Sequence, residues 1–170
     1  MCIRDSAQTD RLGFEIRDSH LCSLILNNGP GANLHKLVLL NCSRLTTRAL
    51  DECLSTLTSL RYFALSFVIT DELTHNFILS IPDSLSTLQL SITRAWYAIP
   101  LLDQERRLCG AMEEYMLQRQ PSLQLICVSF SAGLLEEDNR AKRWAKISHD
   151  ARFRLRIGPW ELEELSLIHI

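Results

Sequence analysis

The sequence predicts an α/β solenoid, with parallel strands on a concave side and helices on a convex side, stacked unit on unit. Leu34, Leu37 and Leu39 set a strand-like spacing that returns at Leu60, Phe63 and Leu65, at Leu85, Leu88 and Leu90, and at Leu123, Ile126 and Val128. The offsets between successive copies are 26, 25 and 38 residues. Between these anchors the apolar residues fall at helical spacing instead. A unit of one short strand and one helix cannot cover its own apolar face, so neighbouring units must stack to bury it.

Each element follows from its residues. Phe14 and Ile16 in "LGFEI" offer a weak first copy of the strand. Ser19–Asn27 carries Leu21, Leu24 and Ile25 on one side, with Ser19 as N-cap and Gly29 as a stop. "NNGPGAN", 27–33, follows a helix and precedes a strand, the reverse of a phosphate loop, and reads as a repeat turn. The strand at 34 points Leu37 and Leu39 inward, and the turn after it buries Cys42 as a small hydrophobe. A helix over Thr47–Leu57 then buries Ala49, Leu50, Cys53, Leu54 and Leu57. Helices over Asp71–Leu79 and Asp103–Leu117 continue the alternation. The stretch 93–122 breaks the period, with Trp96, Tyr97, Ile99 and Pro100 where a unit should turn. It is either a binding loop or an aromatic cap on an irregular helix. "RAKRWAKI", 140–147, follows "EED" and reads as a helix with acids first and bases last, which suits the helix dipole; an import signal is the other reading. Phe153, Leu155 and Ile157 form a last weak strand copy.

Bulk composition bounds the function. The 170 residues suffice for about one domain, with 46% hydrophobic and 22% charged residues. A formal net charge of -2 gives no global pull towards nucleic acid or membranes. No apolar run is long enough for a membrane span, and the first residues lack the pattern of a secretory signal. Six cysteines without a CxxC pair argue against a zinc site and a disulfide framework, and fit a cytoplasmic or nuclear location. The ends are unusual. "MCIRDS", 1–6, and "LSLIHI", 165–170, can be encoded by reverse-complementary DNA and resemble translated ends of a sequencing adapter. Both read as adapter artefact, which leaves 7–164 as a repeat-domain fragment of about five irregular units.

The 34–59 unit resembles the cysteine-containing class of leucine-rich repeat, LxxLxLxxCxxLTxxAL, through Leu34, Leu37, Leu39, Cys42, Leu45, Thr46, Ala49 and Leu50. The next unit keeps the leucines and has "ITDEL", Ile69–Leu73, at the family's isoleucine-threonine-aspartate step, but its turn is shorter and it lacks the cysteine. The third lacks the cysteine step altogether. Repeats of this class occur most often in F-box proteins, and the late "KRW...RFRLRIGPWELEE" is similar to fungal members. The resemblance implies a substrate-binding repeat region of a ubiquitin ligase receptor, whose adaptor would dock on an F-box in a missing N-terminal region. The alternative is a repeat scaffold or regulatory binding protein unconnected to ubiquitin. Either implies a protein or peptide partner and no cofactor.

Strand alternation assigns the outward concave residues. They are Lys36, Val38 and Leu40; Tyr62, Ala64 and Ser66; Thr87, Gln89 and Ser91; and Leu125, Cys127 and Ser129. Such a mixed, mildly apolar patch suits a protein partner, with Tyr62 as its best anchor. Arg152, Arg154 and Arg156 alternate with the apolar residues of the last strand. They are either a basic stripe for an acidic or phosphorylated segment or charges that protect a sheet edge. No enzyme reading gathers support. GxSxG, P-loop, GxGxxG and HExxH motifs are absent, Asp18-Ser19-His20 is adjacency without triad geometry, and His20, His35, His75 and His149 show no ligand spacing.

Overall fold

The computed structural model describes residues 2–4, 16–25, 33–69, 73–74, 76–95, 99, 101–118, 122–131 and 133–159. Among the described residues the sheet has six strands in chain order, every neighbouring pair parallel. They are β1 (Cys2–Arg4), β2 (Lys36–Cys42), β3 (Tyr62–Ile69), β4 (Thr87–Arg94), β5 (Leu125–Ser129) and β6 (Arg154–Ile157). The α-helices are α1 (Asp18–Ile25), α2 (Thr47–Leu54), α3 (Asn76–Leu79), α4 (Leu102–Leu117) and α5 (Arg140–Ala151). Each helix packs on the next, so a helical layer follows the same order as the sheet.

The recurring leucines stand in register. Leu37, Phe63, Leu88, Ile126 and Leu155 form one column across β2–β6, and Leu39, Leu65, Leu90, Val128 and Ile157 form a second. A third holds Cys42, Phe67 and Ile92, all buried. The cysteine step is therefore filled in the next two units by larger side chains, a continuity that the differing residue types hide. Asn41 takes a left-handed φ of 53°, and there the β2–β3 register shifts between Leu39 and Cys42. This bulge turns Cys42 back into the core while the Asn41 Oδ1 accepts the Ser66 hydroxyl at 3.2 Å.

Polar side chains tie each unit to the one before. The Thr46 N–H and hydroxyl donate to the two Asp18 carboxylate oxygens at 2.8 and 2.9 Å, and the same hydroxyl caps α2 by accepting from the Ala49 N–H. The Thr47 and Thr74 hydroxyls lie 2.6 Å apart, Ser84 donates to the Leu60 carbonyl and Ser86 to that of Arg61. The last helix is held by charge and by an aromatic. Trp144, fully buried, donates from Nε1 to Glu113 at 2.9 Å and stands edge-on to Phe130. Burial pushes the Glu113 carboxyl up, but hydrogen bonds from Arg143 and Trp144 outweigh it and hold the group below its ordinary value. This placement makes 140–147 part of a helix packed on the core.

Several boundaries differ from the sequence expectation. Ser19 is not the cap of α1. The helix starts at Asp18, and the Arg17 N–H is taken by His20 Nδ1 at 2.9 Å, which is the return half of a capping box without its side-chain cap. The third helix is only Asn76–Leu79; Leu73 and Thr74 are not helical, the Leu73 N–H donating to the Gln104 side chain, while residues 70–72 and 75 lie outside the described residues. Ile16 is buried as expected, but the strand beside β2 is Cys2–Arg4, within the hexapeptide set aside as adapter-like. An open sheet edge takes an extended segment through its backbone, whatever encodes it. Phe14, Gly29, Trp96, Tyr97, Pro100 and 165–170 lie outside the described residues, and Ile99 is exposed.

Leu88 sits mid-column in β4 with no exposed surface. Leu88→Ala is expected to lower unfolding free energy by about 2–5 kcal/mol in urea denaturation, because the flanking rungs prevent the void from closing. A loss below about 1 kcal/mol would mean that the column is not close-packed.

Candidate functional site

The face of the sheet opposite the columns carries the residues expected to point outward. Lys36, Tyr62, Thr87, Leu125 and Arg154 share one row, and Val38, Ala64, Gln89, Cys127 and Arg156 the next. Ser66, Ser91 and Ser129 make a third row of half-buried hydroxyls. The strands thus bring together nine of the ten proposed contact residues. Arg152 is the exception. It ends α5 in a left-handed conformation with φ 64°, and its N–H reaches back to the Ser148 and His149 carbonyls, so it is a helix cap before the strand begins. A cation there complements the helix C-terminus. Arg154 and Arg156 do lie in β6 and are exposed.

Exposure corrects the picture further. Val38, Leu40 and Gln89 face this side but are buried, as are Ala64 and Cys127. Alternation fixes which side a residue faces, and nothing in it fixes what stands above that side. Part of the cover comes from Tyr62. Its ring packs against the cluster of Val38, Leu40 and Ala64, and its hydroxyl donates to Gln89 Oε1 at 3.0 Å. Lys36 Nζ stands 4.7 Å from the centre of that ring, within cation–π range. The candidate surface is therefore a small closed centre, with Tyr62 across it, flanked by half-buried serines and by Leu125, Arg154 and Arg156 at the far end.

One polar group elsewhere was missed by sequence reasoning. Glu105 of α4 is fully buried, paired with Arg94 Nε at 3.2 Å and bonded by the Ser131 hydroxyl and N–H at 2.9 and 3.3 Å. It joins the ends of β4 and β5 to α4. The signal was present, since Glu105 continues the helical row of Leu101, Leu108 and Met112, where an apolar residue is the norm.

Two of the buried thiols are held in the protonated form. Burial pushes Cys53 up to about 11 and Cys109 up to about 12, so both stay protonated near neutrality. Among the described residues no cluster of three or more His, Cys, Asp or Glu side chains could hold a metal ion, and no helix is long and apolar enough to cross a membrane. Comparison with protein-family models, curated proteins and solved structures finds no match for the chain.

Tyr62→Phe removes the donor to a buried Gln89 oxygen while keeping the ring. It is expected to cost about 1 kcal/mol of stability in urea titration. An unchanged midpoint would show that this bond does not close the face.

Proposed function

We propose that this chain is a leucine-rich-repeat recognition module that binds a protein or peptide on the sheet face carrying Tyr62, as the substrate-binding repeat region of an F-box-type ubiquitin ligase receptor. The observation that carries the reading is how the 34–50 residues are used. Leu37, Leu39, Cys42, Leu45, Ala49 and Leu50 are buried and Thr46 caps the helix, the division of roles that the family pattern implies. Interior and cap are thereby accounted for, which leaves the opposite sheet face for contact with a partner. A tyrosine held between a lysine and a glutamine is pre-ordered for contact, so little side-chain freedom remains to be lost on binding. The role is binding, with no reaction of its own. Leu125, Ser66 and the β6 arginines extend the contact area around that anchor.

Affinity capture of the full-length gene product, with and without the ligase adaptor, tests both parts. The expected result is co-capture of the adaptor through a segment upstream of residue 7, and a partner whose affinity falls about thirtyfold on Tyr62→Ala, the weight of a hot-spot residue. Ser91→Arg, on the same face, is expected to weaken the same partner while leaving the circular dichroism spectrum unchanged. Capture of a partner without the adaptor would make the protein a scaffold or regulator. Partner affinity untouched by both substitutions would remove the binding face from this side of the sheet.

A further inference from the structure

We propose that the outer edge of β6 takes an extended acidic segment of a partner protein as an added strand. The inference rests on the recognition reading above and names the kind of segment recognised. In a parallel ladder the N–H and C=O of one residue turn to one neighbour and those of the next residue turn to the other. The Arg154 N–H donates to the Gln124 carbonyl at 2.8 Å and the Gly158 N–H to that of Val128 at 2.9 Å, so the even positions are used by β5. The N–H and C=O groups of Leu155 and Ile157 therefore turn to the other side, where among the described residues no strand lies. That is a row of backbone donors and acceptors at strand spacing, a template for pairing.

The side chains select what can pair. Arg154 is exposed on the Tyr62 side, with Arg156 on the same side. On the helix side Ile157 ends its apolar column 47% exposed. An incoming strand thus meets a guanidinium on one face and an unfinished hydrophobic column on the other. Alternating acidic and apolar residues satisfy both at once, since opposite charges on adjacent strands attract and like charges repel. The same arginines disfavour a second copy, because continuing the sheet with another β6 sets arginine against arginine. Edge protection and acidic recognition are thus one device. The opposite edge shows that short strands add to this sheet, for three-residue β1 pairs in parallel with Val38–Leu40 of β2.

The test uses the whole chain and a capped, fluorescent eight-residue peptide of alternating glutamate and valine, followed by anisotropy. Saturable binding is expected, weakened about fivefold by the exposed substitution Arg154→Glu, and absent for an alternating lysine–valine peptide. Two further peptides are N-methylated at all glutamates or at all valines. Only the set whose N–H groups face β6 should lose binding. The proposal is overturned by no binding, by equal binding of the lysine peptide, by indifference to Arg154→Glu, or by equal behaviour of the two N-methylated peptides. A partner lost on Tyr62→Ala while the glutamate peptide fails to bind would sink the edge proposal alone and leave the recognition reading standing.

Discussion

The structure depends on one constraint: an apolar side chain that points inward from a strand is covered only if the strands beside it present apolar side chains at the same level. Leu65 meets this between Leu39 and Leu90, and Phe63 between Leu37 and Leu88. Parallel pairing in chain order keeps the levels matched from β2 to β6. Each connection must then return on the far side of the column, which is why every crossover between β2 and β6 carries a helix and why those helices pack in sequence. Among the described residues one apolar cluster runs from Ile16 to Phe153.

Irregularities sit where a column would otherwise fail. The bulge at Asn41 lets a cysteine complete the column that Phe67 and Ile92 continue. The gap before β5 is longer, and α4 fills it with a 16-residue helix whose row includes a buried glutamate. A lone buried carboxylate would be costly, and the Arg94 and Ser131 contacts are what make it tolerable. The chain thus exchanges an apolar contact for a directional one at the point where its period breaks, fixing how β4, β5 and α4 meet. At the far end Arg143, Glu113 and Trp144 do comparable work for α5.

The columns were legible in the sequence because strand alternation and the unit offset leave little choice: residues such as Leu88 and Ile126 carry both signals. The capping role of Thr46 was not drawn from the sequence, although a threonine just before the helical spacing of Ala49, Leu50 and Cys53 is the usual signal for one. The third column was not, because cysteine, phenylalanine and isoleucine share burial but no sequence identity. Arg152 was misplaced because a left-handed helix end usually recruits glycine or asparagine, and an arginine there gives no warning. The sheet face was half legible. Alternation put Val38 and Gln89 on the correct side, but their closure depends on three-dimensional cover, of which the Tyr62 ring supplies a part.

Interstrand nuclear Overhauser effects between amide and α protons of isotopically labelled protein test the central claim most directly. The account predicts contacts that join the backbones around 37, 63, 88, 126 and 155 in that order with parallel connectivity. Antiparallel patterns among these segments, or contacts that skip a neighbour, would contradict it.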